Sequence, residues 1–130
     1  MALRTSDQWN ARYEEGTARW DLGKVRATVR RIAEAEPKSR VFLPGAGYGH
    51  DAIGWGLAGH HAVAADFAPL AVEGARTRIE QAGVADRVTA REVDIFALSD
   101  DLLGSFDRIW EQTCLCAIDP SQREAYVDAM

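Results

Sequence analysis

The segment VFLPGAGYGHDA (residues 41–52) places three glycines at alternate positions directly after a short apolar run. Glycine adopts positive φ at little cost and has no Cβ, so this pattern indicates a tight turn, a close approach of a ligand to the backbone, or both. The preceding residues, RVFLPG, predict a buried strand of about four residues that ends at Pro44. The following residues, HDAIGWGLAG, predict a helix, although Gly54 and Gly56 weaken it.

The same alternation of strand and helix continues along the chain. Further strands are predicted in HAVAAD, which ends at Asp66, in RVTAREVD, which ends at Asp94, and in FDRIWEQTCL, where the strand ends at Glu111. Helices are predicted in KVRATVRRIAEAE, APLAVEGARTRIEQAG and DPSQREAYVDAM. This order predicts an α/β fold with a Rossmann-like parallel sheet and helices on both faces. We expect a single domain over residues 1–130, with an N-terminal lid or helix region (1–37) and a sheet core (38–130).

Composition disfavours several classes of protein. The chain has 130 residues, 47% of them hydrophobic and 27% charged, and a formal net charge of −5, which disfavours nucleic acid as the main partner. No apolar run approaches the roughly 18 residues of a membrane span, and the N-terminus lacks the apolar core of a signal peptide. With Cys114 and Cys116 only two positions apart, we expect reduced thiols and a cytoplasmic protein.

Chemically informative residues follow the predicted strands. Gly45, Gly47 and Gly49 follow the first strand, and Asp66, which ends the second, lies 19 positions after Gly47. Ligands of such sheets bind at the carboxyl ends of the strands, where a carboxylate can accept hydrogen bonds from ribose hydroxyls. Asp94, at the end of the third strand, can accept a hydrogen bond from the exocyclic amine of a purine. The sequence therefore predicts a nucleoside site at this edge of the sheet.

The glycine pattern differs from the dinucleotide fingerprint G-x-G-x-x-G, because in GAGYGH the third glycine comes one residue early. This disfavours a nicotinamide-dependent oxidoreductase, which remains a rival interpretation. Each feature also has a purely structural explanation, since glycines form tight turns and Asp66 precedes a helix that it could cap. The conjunction of three such features in order favours a ligand site.

Three segments resemble the class I S-adenosylmethionine-dependent methyltransferases, and more narrowly the thiopurine and thiol methyltransferase family. They are WNARYEEGTARWDLG (residues 9–23), FLPGAGYGHDAIGWGLAGHHAVAADFAPLAVEGA (42–75) and FDRIWEQTCLCAIDPSQREAYVDAM (106–130). The glycine block and the acidic strand end are common to methyltransferases, whereas the leading and trailing segments are more specific to this family.

The resemblance implies roles for particular residues. The methionine part of S-adenosylmethionine would lie against Leu43, Gly45 and Gly47, its ribose would bind Asp66, and its adenine would contact Phe67, Asp94 and Ile95. Glu111 and Thr113 would lie near the methionine part and the acceptor. Trp9, Tyr13 and Trp20 would belong to a lid, and Tyr13, Glu111 and Thr113 are the substrate-side candidates.

The resemblance also implies an activity. The chain would be a methyltransferase that moves a methyl group from S-adenosylmethionine to a small soft nucleophile, leaving S-adenosylhomocysteine. The acceptor would be a thiol, a thiopurine, a halide, thiocyanate, or a selenium or tellurium species. A soft nucleophile needs little help from a general base, which agrees with a sequence in which His50, His60 and His61 show no metal-binding spacing. Cys114 and Cys116 are interpreted as small packing residues.

The chain also departs from the family. Members are normally longer and continue the sheet beyond the fourth strand, whereas this sequence ends at Met130. Either it is a catalytically incomplete cofactor-binding fragment or module, or a partner chain covers the open edge of the fourth strand in a homo-oligomer. Gln112 stands where many relatives carry arginine, which makes an anionic acceptor less secure. Ala68 removes a hydroxyl that serine would offer.

Overall fold

The computed structural model describes residues 5–15, 23–112 and 114–130 of the chain. Its elements follow the predicted order, with an additional helix at the N-terminus and two short 3-10 helices after β4. They are α1 (Ser6–Glu14), α2 (Ala27–Ala35), β1 (Arg40–Pro44), α3 (His50–Leu57), β2 (His61–Asp66), α4 (Pro69–Gln81), β3 (Val88–Glu92), β4 (Arg108–Ile109), two short 3-10 helices (Leu115–Ala117 and Pro120–Gln122) and α5 (Arg123–Ala129). No helix in these ranges is long and apolar enough to cross a bilayer.

The four strands form one parallel sheet in the order β3-β2-β1-β4, which confirms the predicted fold class. The chain first builds outward from β1 to β2 and β3, and then returns to place β4 on the other side of β1. Strand order therefore reverses between β1 and β4, and the glycine turn that follows β1 lies at this switch point. Open parallel sheets bind their ligands at such points.

Alternate residues of β1 pack on opposite faces of the sheet. Val41 and Leu43 join the larger core, which α2, α3 and α4 cover. Phe42 joins a second core on the other face, where the segment after β3 and Met130 at the end of α5 supply most of the packing. Both faces of β1 are thus buried, which explains why its sequence reads as a continuous apolar run rather than an alternating one.

The two glycines that weaken the predicted α3 are required by its packing. A Cβ on Gly56 would lie 2.2 Å from Cγ2 of Val88 on β3, and a Cβ on Gly54 would lie 2.6 Å from Cγ1 of Val25. The missing side chains let α3 approach its neighbours closely. Tertiary packing here outweighs the low helix propensity of glycine.

We predict that Gly56→Ala destabilises the protein although alanine is the better helix former. The gain in propensity is about 1 kcal/mol, whereas overpacking a core costs typically 1–3 kcal/mol. Since the contact with Val88 is very short, we expect a net loss of about 1–2 kcal/mol in the free energy of unfolding, measured by urea denaturation. In a Val88→Ala background the same change should cost less, and a stabilising effect of Gly56→Ala in the unaltered chain would contradict this account.

His60 is a fully bonded core residue. Its side chain is buried, its Nδ1 accepts a hydrogen bond from the Ser39 backbone N–H at 3.0 Å, and its Nε2 donates to the carbonyl of Ala33 at 2.7 Å. The Trp55 ring packs edge-on against it, 4.7 Å between centroids. Both ring nitrogens serve to join the end of α2 to the start of β1.

Candidate functional site

The turn between β1 and α3 depends on its three glycines. Gly45, Gly47 and Gly49 have φ of 60°, 57° and 80°, all in the left-handed region that other residues rarely adopt. Gly49 is the N-cap of α3 and donates its N–H to the carbonyl of Ala46 at 3.0 Å. The turn is therefore tight, and at Gly45 it also exposes bare backbone at the edge of the sheet where ligands bind, whereas Gly47 and Gly49 are buried.

Asp66 joins the end of β2 to this turn. Its Oδ2 accepts a hydrogen bond from the Gly47 backbone N–H at 3.0 Å, and its Oδ1 accepts from the Ala68 N–H at 3.0 Å. Burial raises the pKa of the Asp66 carboxyl, and the backbone hydrogen bonds from Ala68, Gly47 and Phe67 partly oppose that rise. Each carboxylate oxygen still has a lone pair for a ligand hydroxyl.

Asp94 follows β3 and is exposed. Its Oδ1 accepts a hydrogen bond from the Phe96 N–H at 2.9 Å, which fixes the turn after the strand. This contact holds the carboxylate at the same edge of the sheet as Asp66. Both acidic side chains line one cavity, as the sequence predicts for a nucleoside site.

This cavity has a volume of about 290 Å³ and opens at the carboxyl ends of the strands. Most of its lining is apolar, and Asp66 and Asp94 are the charged side chains that line it among the described residues. It brings together seven of the predicted site residues: Trp9, Tyr13, Gly45, Asp66, Phe67, Asp94 and Ile95.

Other predicted residues lie beside or behind the cavity wall. Leu43 is buried in the larger core, Gly47 reaches the site through its hydrogen bond to Asp66, and Gly49 packs against Ala75. Glu111 is exposed and accepts a hydrogen bond from the Leu115 N–H. Trp20 and Thr113 lie outside the described residues.

Helix α1 brings two aromatic side chains to the cavity. Asn10 Oδ1 accepts a hydrogen bond from the Leu70 N–H at 2.8 Å, so α1 satisfies a backbone donor in the first turn of α4. Tyr13 packs edge-on against Tyr48, with 5.0 Å between ring centroids. A capping box at Thr5 begins the helix. These contacts place Trp9 and Tyr13 over the site.

Sequence reasoning missed the wall that follows β4. The cavity is also lined by Cys114, Cys116, Ala117, Ile118 and Gln122, together with Val93 and Phe96. The two cysteines are interpreted from the sequence as packing residues, and the other side chains carry no charge or nucleophile that would mark a site. The available signal was topological, since a segment that follows a parallel strand next to the switch point lies at the ligand-binding edge.

Cys114 is pressed against the glycine turn and is poorly suited to be a nucleophile. A Cβ on Gly45 would lie 2.7 Å from its Sγ. Burial, followed by the charge of Glu111, raises the pKa of Cys114 to about 12. Burial and the neighbouring Cys114 and Glu111 also raise the pKa of Tyr126. Both groups therefore keep their protons at neutral pH.

We predict that iodoacetamide labels Cys116 well before Cys114 in the folded protein. Cys116 is exposed at the cavity. The rise from 9.0 to about 12 in the pKa of Cys114 gives this thiol a thiolate fraction roughly a thousandfold smaller than it would have at the ordinary pKa. Peptide mass spectrometry after brief labelling at pH 7.5 measures the two rates. In urea the two rates should converge, and faster labelling of Cys114 in the folded state would refute the assignment.

The parallel sheet, the glycine turn at its switch point and the acidic residues at the end of β2 and after β3 define an α/β protein with a candidate ligand site at the carboxyl ends of its strands. The family model of Thiopurine S-methyltransferase (TPMT) matches residues 4–130. The chain therefore belongs to the thiopurine S-methyltransferase family, which confirms the resemblance found in its sequence.

Curated relatives agree with this membership. "Probable thiol methyltransferase 2" of Arabidopsis thaliana is 27% identical over 132 residues, covering 100% of this chain and 58% of the relative. "Thiocyanate methyltransferase 1" of Brassica oleracea is 28% identical, with 94% and 54% covered. "Thiopurine S-methyltransferase" of Xanthobacter autotrophicus is 31% identical, with 92% and 63% covered. The chain spans a little over half the length of these relatives.

Solved structures share the fold. One was solved in connection with the conversion of a disulfide bond into a thioacetal group during echinomycin biosynthesis. It superposes with a TM-score of 0.82 at 21% identity, covering 95% of this chain and 53% of that one. The Burkholderia thailandensis 1,6-didemethyltoxoflavin-N1-methyltransferase, with bound S-adenosylhomocysteine, gives a TM-score of 0.75 at 20% identity and the same coverages.

Proposed function

We propose that the chain is a methyltransferase that transfers a methyl group from S-adenosylmethionine to a small soft nucleophile. The observation that carries this proposal is the cavity at the switch point, where Asp66 is hydrogen-bonded to the glycine turn and Asp94 lines the same space. The family membership supports the reaction class.

The residues of the cavity match the chemistry of the cofactor. We assign the ribose to Asp66, whose carboxylate has lone pairs beyond those used by Gly47 and Ala68. Phe67, Asp94 and Ile95 would hold the adenine, and their presence in one cavity lining supports this assignment. The methionine part would lie at the glycine turn, against Gly45 and Gly47 and in front of Leu43.

S-adenosylmethionine, when bound, would supply an electrophilic methyl group on a sulfonium cation. Trp9 and Tyr13 present aromatic rings to the cavity, and an aromatic face stabilises a cation by roughly 0.5–2 kcal/mol. Helix α1, which carries both rings, would act as a lid that excludes water. Since methyl transfer is an in-line displacement, the main task of these residues is to position the reactants.

The acceptor would be a small molecule that needs no general base. Cys114 and Tyr126 retain their protons at neutral pH and are poor candidates for proton removal. A thiol, thiopurine, halide, thiocyanate, or selenium or tellurium species meets this condition, and three of these classes occur in the names of curated relatives. Tyr13, Glu111 and Thr113 are the proposed residues on the acceptor side.

Isothermal titration with S-adenosylmethionine and S-adenosylhomocysteine tests cofactor binding. Release of S-adenosylhomocysteine with benzenethiol, 6-mercaptopurine, thiocyanate, iodide and selenide then tests transfer. We expect saturable binding of both nucleosides and turnover with at least one acceptor. Absence of binding would refute the assignment of the site.

A second candidate function is a cofactor-binding module that requires a partner chain for transfer. Strand β4 lies at an edge of the sheet with Ile109 43% exposed, and Leu103 and Val127 are more exposed still. A second copy of the chain would cover this apolar surface in a homo-oligomer. We also propose that the protein resides in the cytoplasm and that nucleic acid is not its partner. Binding without turnover by a monomer, with turnover appearing only in a dimer separated by gel filtration, would favour this alternative.

A further inference from the structure

A half-buried polar cluster lies directly behind the glycine turn. Asp51, in the first turn of α3, pairs with the guanidinium of Arg26, whose Nε lies 3.3 Å from Oδ1. Asp51 Oδ2 also accepts a hydrogen bond from the indole Nε1 of Trp110 at 3.1 Å. The Asp51 side chain is only 18% exposed, so these contacts are only weakly screened by solvent.

The cluster joins the start of α2 to the two segments, after β1 and after β4, that border the proposed methionine end of the site. Arg26 is the N-cap of α2, Asp51 comes two residues after the last glycine of the turn, and Trp110 directly follows β4. None of the three lines the cavity. Any effect of the cluster on the site would therefore pass through the backbone that it holds.

Trp110 is held firmly enough to transmit this constraint. Its backbone N–H donates to the carbonyl of Phe42 on β1 at 2.9 Å. Its ring packs edge-on against Trp55, with 5.8 Å between centroids, and contacts the larger core. The hydrogen bond to Asp51 then fixes the separation between the start of α3 and the segment that leads to Glu111 and Cys114.

We propose that the Trp110–Asp51 hydrogen bond is a positioning contact for the methionine end of the cofactor. This inference rests on the proposed function. In the strand order β3-β2-β1-β4, the glycine turn proposed to hold the methionine end follows β1, next to β4, whereas Asp66 and Asp94, proposed to hold the nucleoside, lie at the ends of β2 and β3. Loss of the contact should therefore weaken binding of the methionine part and leave binding of the nucleoside part unchanged.

Isothermal titration with two ligands separates these effects. S-adenosylhomocysteine carries the amino acid part, and adenosine lacks it. For Trp110→Phe we expect an affinity for S-adenosylhomocysteine about tenfold lower than in the unaltered chain, which corresponds to one hydrogen bond to a charged group. The affinity of the same variant for adenosine should stay within about twofold. Asp51→Asn should give an intermediate loss of affinity for S-adenosylhomocysteine only, since the asparagine oxygen still accepts a hydrogen bond from the indole.

Val84→Ala provides a control for loss of core packing. Val84 is buried in the larger core after α4, beside Gly56, and belongs neither to the cluster nor to the cavity lining. Its replacement should lower the melting temperature but keep the ratio of the two affinities. If Trp110 has a purely structural role, Trp110→Phe should lower the affinities for S-adenosylhomocysteine and adenosine together. That result, or no change in either affinity, overturns the proposal. If the unaltered chain binds neither ligand, the proposed function itself fails.

Discussion

Asp66→Asn is expected to lower the affinity for S-adenosylhomocysteine by roughly 100-fold or more. A carboxylate that accepts hydrogen bonds from two ribose hydroxyls contributes about 1.5–3 kcal/mol for each of them, and asparagine keeps a single acceptor oxygen. In the unaltered chain, one carboxylate oxygen accepts a hydrogen bond from the Gly47 N–H and the other accepts from the Ala68 N–H. The single amide oxygen of asparagine would have to serve both N–H groups as well as the ribose. Isothermal titration of both proteins at pH 7.5 measures the difference.

The pH dependence of binding identifies the same group. Burial raises the pKa of Asp66 above the ordinary value of 3.8, and the protonated carboxyl is a poorer acceptor for ribose hydroxyls. The affinity should therefore be highest above the raised pKa and should fall as the pH decreases through it. This fall should occur at a higher pH than for a carboxyl with an ordinary pKa. In Asp66→Asn this component of the pH dependence should vanish.

Asp101→Asn is the matched control, because it removes a carboxylate that lies on the surface and outside the cavity lining. Asp101 is exposed and pairs with Arg91 at 2.6 Å. This change should leave the affinity within about twofold, in keeping with the small contribution of surface ion pairs. If the two variants lose affinity equally, the effect is nonspecific and the ribose assignment is wrong. An unchanged affinity in Asp66→Asn would have the same consequence.

The fold could be predicted because its signals are local. The apolar run 41–43, the glycine turn and the apolar residues Val72, Ala75 and Ile79 at helical spacing each indicate an element without knowledge of the rest. Once strands alternate with helices, chirality and crossover rules leave few alternatives to a parallel sheet. The predicted ends of β1 and β2, at Pro44 and Asp66, agree with the structure, whereas the predicted ends of β3 at Asp94 and β4 at Glu111 are wrong by two residues, since these strands end at Glu92 and Ile109.

The packing of α3 could not be predicted in this way. Gly56 reads as a helix breaker until Val88, which is 32 positions later in the sequence, is seen to occupy the space of its missing side chain. The contact between Trp110 and Asp51 likewise joins residues 59 positions apart. Local propensity has no information about such partners, so these residues acquire meaning only from the tertiary structure.

The candidate site likewise contains some residues that the sequence predicts and others that it does not. Asp66 and Asp94 were predicted because acidic side chains at strand ends have a specific chemistry, and both line the cavity. Cys116, Ala117 and Ile118 were missed because their contribution is shape, which the sequence expresses only through the path of the chain after β4. Residues that act through shape are therefore the ones for which the structure adds most.

Gly45→Ala is the change for which we expect the largest loss of stability. Gly45 has φ of 60°, and a left-handed backbone costs other residues about 1–2 kcal/mol. The new Cβ would also lie 2.7 Å from Sγ and 3.0 Å from Cβ of Cys114, and such overpacking costs typically 1–3 kcal/mol. We expect the free energy of unfolding to fall by about 2–4 kcal/mol in urea denaturation.

Two further variants separate the two causes. Gly83→Ala imposes a similar φ, 73°, at a position with no atom within 4 Å of the new Cβ, so it should show the backbone cost alone. Gly45→Ala combined with Cys114→Ala removes Sγ but keeps the Cβ contact, so the double variant should lose less than the sum of the single changes. Because Gly45 and Cys114 both line the cavity, we expect this partial recovery of stability to come without recovery of cofactor affinity. Additive losses would show that the thiol does not press on the turn, and the shape assigned to this wall of the site would then be wrong.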